Sequence, residues 1–237
     1  MAFDAHLPFS QHNVLTTLEC AETRDRVLAL RDHWTPRDNR RFFTLGAASY
    51  RDAVGKHAQY LKAAKVTNPL LQKSFEWLHE RLRLFFEDLL GEAVMFDPRY
   101  ALPGFHIFVL NASVVFRSRE KVAAAAHFDL QWMNAIPGTV PKQTLSFTLP
   151  VELPLGGASL EIWRVRYQQA LRGGFSAPDY ALRHPSRTVR YRRGRILVHD
   201  GLTLHGIGRG SVARSKGFRI TLQGHGVRFS KGWMLYW

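Results

Sequence analysis

The sequence predicts an α+β domain in which a helical first part covers a sandwich or barrel of short strands. Up to about residue 95 the apolar residues mostly recur three or four positions apart, which is typical of helices with one buried face. From Phe105 onward, short segments rich in β-branched and aromatic residues alternate with glycine, proline and aspartate, as in successive strands and turns. Neither a single apolar helix face nor a small open sheet is stable alone, so we expect one domain over residues 1–237, divided near residue 100.

The clearest predicted helix spans residues 68–90. Asn68 suits its N-cap, Pro69 its first turn and Gly91 the position after its last turn. Its apolar residues form one stripe that should cover a sheet: Leu71, Phe75, Leu78, Leu82, Phe85, Phe86 and Leu89.

Two shorter helices are predicted around residues 13–33 and 49–64, with a strand at 42–45 between them. The later strands are predicted at residues 105–116, 143–153, 158–165, 187–193, 195–200 and 218–227.

The cysteine content and the hydropathy of the sequence indicate the cellular environment of the protein. Cys20 is the only cysteine, so neither an intramolecular disulfide nor a thiolate metal cluster can form within one chain. The first residues lack the pattern of a secretory signal, and no segment is apolar enough for a membrane span. We therefore expect a soluble protein in a reducing, cytoplasmic setting.

The chain is strongly basic, with 33 lysines and arginines against 19 acidic residues and a formal charge of +14. Such a charge attracts anionic partners: a carboxylate or phosphate substrate, an acidic protein or nucleic acid. Arginines are concentrated in residues 183–195. A solvated edge strand explains this stretch, because charged edges discourage aggregation between sheets, and binding of an anionic substrate or nucleic acid is the alternative.

Three residues form a candidate metal site. His127 and Asp129 lie two positions apart in AAAAHFDLQW, so in an extended segment both side chains point to the same face. H-x-D alone is a weak motif in a chain with 11 histidines. A third candidate, His205, follows a short apolar strand and the turn Asp200–Gly201 in GRILVHDGLTLHGIG. Two histidines and a carboxylate that leave coordination positions open are typical of ferrous iron, although zinc accepts the same ligands.

The segment FRITLQ, residues 218–223, adds a candidate anion site. As a strand, it places Arg219 and Thr221 on one face and apolar residues on the other. An inward-facing arginine needs an anionic partner, because an unpaired buried charge is costly. A cosubstrate carboxylate would meet that need, with the Thr221 hydroxyl as a further donor. Glu152 or Glu161 is the alternative partner.

Together these motifs resemble the Fe(II)/2-oxoglutarate-dependent oxygenase superfamily. The resemblance rests on H-x-D, on a later histidine in the context G-x-x-x-x-H-D-G-x-x-x-H, and on R-x-T after it, and it covers residues 105–226. It implies a double-stranded β-helix, a cupin-like jelly roll, with an N-terminal helical layer packed on one sheet.

The resemblance also implies the activity and the cofactors. His127, Asp129 and His205 would bind Fe(II) and form the catalytic centre. Arg219 and Thr221 would bind the distal carboxylate of 2-oxoglutarate. With O2 as cosubstrate and ascorbate as a candidate reductant, members of the superfamily hydroxylate C–H bonds and release succinate and CO2. Desaturation, ring formation and demethylation are related outcomes. The carboxylate ligand argues against the halogenating branch, which has a small residue there.

Several assignments have competitors. His199 competes with His205, but it lies before the turn, whereas His205 has the position that the superfamily pattern expects. Arg214 is an alternative anchor for the cosubstrate. Asn111 and Thr144 are further candidates for contacts to 2-oxoglutarate, because strand alternation does not indicate which face is inward.

The substrate is predicted only by class. Trp132 and Asn134 follow the H-x-D pair and are candidate substrate contacts, although packing under a loop equally explains Trp132. Residues 163–185, which include Arg166, are predicted to form a long loop, and such loops often act as lids or binding elements. With the positive charge, these features predict a small, anionic or amino-acid-like or natural-product substrate.

Two other functions compete with this one. The first is a nucleic-acid- or protein-directed oxygenase, such as a demethylase, in which the arginine-rich stretch 183–195 would bind the phosphates of a nucleic-acid backbone. The sequence lacks the further arginine spacing of the nucleic-acid demethylases in this superfamily, and it has no aromatic-plus-basic motif for single strands. A non-catalytic β-barrel binding module belongs to a different class, and the complete set of three metal ligands argues against it.

Overall fold

The computed structural model describes residues 9–38, 42–110, 119–155, 157–208 and 217–237. Its helices are α1 (Thr17–Ala29), α2 (Ser49–Asp52), α3 (His57–Leu90), α4 (Arg119–Ala124), α5 (Trp132–Ala135), α6 (Tyr167–Gly173) and α7 (Ala177–Arg183). Its strands are β1 (Ser10–Asn13), β2 (Thr35–Arg37), β3 (Phe42–Leu45), β4 (Val94–Phe96), β5 (Gly104–Leu110), β6 (Thr144–Glu152), β7 (Ser159–Arg166), β8 (Arg187–Arg190), β9 (Arg195–His199), β10 (Thr203–Ile207), β11 (Gly217–Phe229) and β12 (Gly232–Tyr236).

Within these residues the strands form two sheets. The larger sheet has the order β1-β9-β6-β11-β5-β3-β2, all antiparallel, with β12 joined to β11 and with β4 parallel to β12. The smaller sheet has the antiparallel order β10-β7-β8, and His127 extends it by a bridge to His205. The predicted α+β class is therefore confirmed.

Helix α3 lies against one face of the larger sheet through the predicted stripe. The Phe75 ring centroid lies 4.7 Å from that of Phe105 on β5, and that of Phe86 lies 5.0 Å from that of Phe147 on β6. Each fully buried large apolar side chain stabilises the fold by roughly 1.5–3 kcal/mol. This face of the sheet is thereby closed to solvent, and the functional groups must use the other face.

The predicted start of this helix at Asn68 is wrong. The helix begins at His57, and Asn68 lies inside it, donating a hydrogen bond from Nδ2 to the Tyr100 carbonyl and accepting one from the Leu102 backbone N–H. The Asn68 side chain, which was expected to cap the helix, thus hydrogen-bonds to the backbone of the segment before β5. The backbone departs from helical geometry at Phe75, and Gly91 ends the helix at φ +65° as predicted.

The two shorter helices also differ from their predicted extents. Helix α1 starts four residues later than expected, because Thr16 and Glu19 form a capping box there. Residues 10–13 instead pair with β9 as a strand. Helix α2 is a single turn that ends before Gly55, whose φ is +65°. None of the described helices combines the length and the apolar character that crossing a membrane requires.

The prediction that residues 163–185 form a loop is wrong, because α6 and α7 lie within them. Gly174 ends α6 at φ +62°, and the Ser176 side chain accepts the Asp179 backbone N–H at the start of α7. Ala181 of α7 packs with Trp163 on the outside of the smaller sheet. Of the arginine-rich stretch 183–195, Arg187 and Arg190 lie on β8, which forms an exposed edge of that sheet, as the edge-strand explanation predicts for these two residues.

Candidate metal centre

Three side chains with metal-binding atoms come together between the two sheets: those of His127, Asp129 and His205. One ligand atom of each lies within 4.8 Å of the others. His205 Nε2 lies 3.2 Å from Asp129 Oδ2, and His127 Nε2 lies 3.5 Å from Asp129 Oδ1. Among the described residues, this is the group of histidine, cysteine and acidic side chains that could hold a metal ion.

Backbone hydrogen bonds fix the three ligands. The backbone N–H of His127 donates to the His205 carbonyl (2.8 Å), and that of His205 donates to the His127 carbonyl (3.1 Å). The Asp129 N–H donates to the carbonyl of Gly201 (2.8 Å), which has φ +74° in the predicted turn. A short extended segment and a glycine turn thus hold all three ligands.

Each histidine is held in the form that a metal requires. Nδ1 of His127 lies 2.7 Å from the Ala125 carbonyl, and Nδ1 of His205 lies 2.7 Å from the Thr203 carbonyl. Because a carbonyl oxygen only accepts, each Nδ1 carries the proton, and each Nε2 has its lone pair free. The donor set of two imidazole nitrogens and one carboxylate therefore fits ferrous iron.

Asp129 is held as a carboxylate. Burial opposes its ionisation, but the charge and hydrogen bond of His205 outweigh burial and hold the pKa of Asp129 well below its ordinary value. Burial likewise disfavours protonated His205, yet Asp129 raises the pKa of His205. Without a metal, Asp129 thus stabilises a proton on His205 Nε2, and a metal ion that binds this nitrogen replaces that proton.

His199 lies beside this centre in a supporting position. Its ring centroid is 4.5 Å from that of His205, and its Nδ1 accepts the Gly201 backbone N–H (3.1 Å). The Phe9 ring stacks on it at 4.6 Å between centroids. The choice of His205 over His199 agrees with this geometry, because His199 uses a ring nitrogen to support the turn.

Two contacts near the centre were missed by the sequence reasoning. Gln131 Nε2 donates to Asp129 Oδ1 (2.9 Å), and Phe9 lies beside His199. Gln131 follows Asp129 by two residues, and this proximity is a signal that could have found it, although the backbone at Gln131 is already helical (φ −58°, ψ −29°). Nothing local indicates Phe9, which depends on the pairing of β1 with β9.

Arg219 is buried in the larger sheet, with 6% of its surface exposed. Its guanidinium lies over the rings of Phe108 (5.2 Å) and Tyr191 (5.4 Å). Its Nε has no hydrogen-bond partner among the described residues, and none of them forms an ion pair with it. Burial lowers the pKa of Arg219. A buried cation without an anion is costly, so this group fits a bound carboxylate.

The alternative partners of Arg219 are engaged elsewhere. Glu152 lies 3.6 Å from Arg24 and 3.7 Å from Arg193. Glu161 accepts hydrogen bonds from the hydroxyl groups of Ser186 and Thr188.

The other cosubstrate candidates have mixed surroundings. Thr221 is fully buried on the same strand face as Arg219, and its hydroxyl accepts a hydrogen bond from Gln223 Nε2 (3.3 Å). The Thr144 hydroxyl donates to the Asp200 carbonyl (2.7 Å), so it supports the turn beneath Asp129. Asn111 and Arg214 lie outside the described residues.

The three substrate candidates have different surroundings. Trp132 packs with Ala135 and Ile136, and its Nε1 is buried without a hydrogen-bond partner among the described residues. The Asn134 backbone carbonyl lies 3.2 Å from His57 Nδ1. Arg166 Nη1 lies 2.8 Å from Asp200 Oδ2, so its guanidinium supports the turn. The substrate role of Arg166 thereby loses support.

Comparisons with known proteins bear on the fold. No protein-family model and no curated protein matches the sequence. Among solved structures, the chain is similar to an N-substituted L-amino acid dioxygenase from Burkholderia ambifaria AMMD in complex with alpha-KG. That match covers 95% of this chain and 84% of the other, with 14% identity and a TM-score of 0.58. The chain shares its fold with that dioxygenase. A second structure of that dioxygenase covers 77% and 70%, with 17% identity and a TM-score of 0.51.

This similarity agrees with the fold that the predicted resemblance implies. The shared fold consists here of the antiparallel order β9-β6-β11-β5 opposite the order β10-β7-β8, which His127 extends. This is the predicted jelly roll, with the three candidate ligands at the edge of its smaller sheet.

Proposed function

We propose that this chain is an Fe(II)/2-oxoglutarate-dependent dioxygenase that hydroxylates a C–H bond of a small anionic, amino-acid-like or natural-product molecule, with release of succinate and CO2. One observation supports this function in addition to the fold. Arg219 is buried without an anionic partner among the described residues, on the face of the larger sheet that also carries His199 beside the metal centre. A dicarboxylate that reached from the metal to this arginine would supply the missing anion.

The residues of the chain have separate tasks in this reaction. Iron held by His127, Asp129 and His205 would supply oxygen activation coupled to the oxidative decarboxylation of 2-oxoglutarate. Arg219 binds and orients the distal carboxylate, and the Thr221 hydroxyl offers a further contact. The Nδ1 hydrogen bonds of the two histidines keep each Nε2 directed at the metal.

Apolar side chains exclude water from the space between the metal centre and Arg219. Leu160, Ile162, Tyr191 and Leu197 form one buried cluster, and Phe9 packs against it. Exclusion of water strengthens the attraction between Arg219 and a carboxylate, because the local dielectric constant falls. An apolar wall with one buried cation favours a ligand that carries a carboxylate at that end.

We further infer that residues 1–237 form a single domain. The largest buried cluster contains residues of both parts, among them Phe75 of α3 and Leu222 of β11. A cut near residue 100 would expose both surfaces to water. The cytoplasmic setting remains a prediction from Cys20, which is buried and unpaired.

The proposal is tested with purified protein under anaerobic conditions. Fe(II) and 2-oxoglutarate are added, and the weak visible charge-transfer band of their complex is recorded for the wild type, His127→Ala and Arg219→Ala. Arg190→Ala, an exposed arginine on β8, is the matched control. We expect the band in the wild type and the control, its loss in His127→Ala, and a need for at least tenfold more 2-oxoglutarate in Arg219→Ala. A wild type that binds zinc but gives no band contradicts the proposal and favours the binding module.

A further inference from the structure

One row of paired residues crosses the smaller sheet at the level of the metal centre. His127 bridges to His205, His205 pairs with Ile162 on β7, and Ile162 pairs with Arg187 on β8. Directly paired residues of adjacent strands point to the same face of a sheet. Arg187 therefore belongs to the face that carries the ligand His205, two strands away, so that their Cα atoms are about 10 Å apart.

Arg164 lies on the same face. Leu160 and Ile162 pack into the interior, whereas the intervening residues Trp163 and Val165 pack outside the sheet in the cluster that includes α4 and α7. The pairing of β7 with β10 is irregular between Ile162 and Arg166, but Trp163 and Val165 on either side of Arg164 both pack outside the sheet, so Arg164 points to the opposite, interior side. Along β7, Leu160 and Arg164 lie on opposite sides of Ile162. Arg164 is therefore on the side away from the buried apolar cluster that contains Leu160.

Both arginines are open to solvent. Arg164 and Arg187 are exposed, and the side chain of His127 at the other end of the row is 49% exposed. Neither arginine makes an ion pair or a side-chain hydrogen bond with any residue that the structure describes. Arg166, by contrast, is bound to Asp200.

Protection of the sheet edge does not account for this placement. Arg190 is on the same edge strand as Arg187, but it pairs with Ser159 and so faces the opposite side of the sheet. A charged edge needs charge on an exposed face, which Arg190 supplies. It does not require two uncompensated cations on the face with the metal ligands.

We propose that Arg164 and Arg187 form a subsite for the anionic group of the substrate, a carboxylate or a phosphate, at the entrance to the metal centre. This subsite rests on the proposed function and specifies its substrate class. Guanidinium groups bind both anions through paired hydrogen bonds. The anionic group would be held at the entrance while the rest of the substrate extends toward His127 and His205.

The experiment uses pairs of compounds that differ only in charge. N-acyl-L-amino acids and aliphatic dicarboxylates are compared with their amides, and sugar phosphates with the free sugars. Succinate formation from 2-oxoglutarate is measured with Fe(II) for the wild type, Arg164→Gln/Arg187→Gln and the matched control Arg190→Gln. The shift in melting temperature that each compound causes in the metal-free protein provides a second readout, independent of turnover.

We expect at least one anionic compound to stimulate succinate formation while its neutral counterpart does not. In the double variant its KM should rise at least tenfold with kcat within about threefold, and its thermal shift should disappear, whereas Arg190→Gln should match the wild type. The responding series identifies the anion as carboxylate or phosphate. Stimulation by neutral compounds only, no stimulation by any anion, or an unchanged KM in the double variant overturns the subsite.

A different experimental result would show that the proposed function itself is wrong. The slow conversion of 2-oxoglutarate to succinate without added substrate tests that function, and it should be lost in Asp129→Ala. If this background is present and the charged compounds act no better than the neutral ones, only the subsite is wrong. If the background is missing from the wild type, the oxygenase assignment itself is wrong.

Discussion

Gly201 lies directly against Asp129. Its carbonyl accepts the Asp129 backbone N–H at 2.8 Å, and a Cβ added to Gly201 would lie 2.8 Å from Asp129 Cβ. Its φ of +74° is also one that residues with a Cβ rarely adopt. The chain thus needs glycine here for two independent reasons: the backbone conformation, and the close approach of Asp129 and of Ser146 Oγ, which would lie 2.9 Å from the added Cβ.

Gly201→Ala should displace Asp129 and weaken metal binding. The variant should lose more than the roughly 1–2 kcal/mol of folding free energy that positive φ alone costs an alanine. The measurements are anaerobic Fe(II) titration and urea unfolding. Gly174→Ala is the matched control, because Gly174 has φ +62° but no atom within 4 Å of its added Cβ. Equal effects of the two substitutions would show that the contact with Asp129 is unimportant.

Gln131→Ala should lower the affinity for Fe(II) by about 10–100-fold, the usual effect of removing a group that orients a ligand. Gln131 Nε2 holds Asp129 Oδ1 at 2.9 Å, and without this bond the carboxylate can rotate. Fe(II) or Co(II) titration measures the change. Gln168→Ala, at an exposed position on α6, should leave the affinity unaltered. Unchanged affinity in Gln131→Ala would remove Gln131 from the site.

His79 should make the fold sensitive to acid. Burial lowers its pKa from 6.5 to about 4, and its Nε2 lies 2.9 Å from the Pro103 carbonyl. Between pH 6.5 and 4 the unfolded chain takes up a proton that folded His79 does not. Its contribution to stability is therefore complete above pH 6.5 and falls by about 3 kcal/mol as the pH drops to 4.

His79→Gln should reduce this acid sensitivity, because the glutamine amide can still donate to Pro103 but does not titrate. Urea unfolding of the metal-free protein at pH 7.5 and 4.5 measures the difference for the wild type, His79→Gln and the exposed control His33→Gln. An identical loss of stability on acidification in all three proteins would contradict the assignment.

Phe86→Ala should destabilise the protein by about 3–5 kcal/mol, the usual cost of truncating a buried phenylalanine. Phe86 is fully buried against Phe147, whereas Leu84 on the same helix is 52% exposed. Leu84→Ala, the control, should change the free energy of unfolding by less than about 1 kcal/mol. Similar losses in the two variants would mean that α3 does not cover the sheet as described.

The candidate ligands could be predicted from the sequence because their signals are local. The spacing of His127 and Asp129, and the turn before His205, depend only on a few neighbouring residues. Strand alternation likewise placed Arg219 and Thr221 on one face, and the burial of Ile220 on the other face confirms that alternation.

The other features depend on contacts between distant parts of the chain. Asn68 has the properties of an N-cap, but contacts near residue 100 override that local preference. Arg187 lies on the metal face only because of the register between β7 and β8, which composition does not encode. The same holds for Phe9, whose position follows from a strand near the other end of the sequence.

The pairing of β1 with β9 also affects how the protein is made. Ser10 pairs with Val198, so all the residues between them must leave the ribosome before the first described strand can join its sheet. Pairings between such distant segments slow folding, because a large loop must close before they form. The helices can form early, whereas Phe9 reaches His199 only afterwards. Until then the edge of β9 is unprotected, and a delayed nascent chain would be most prone to aggregation at that edge.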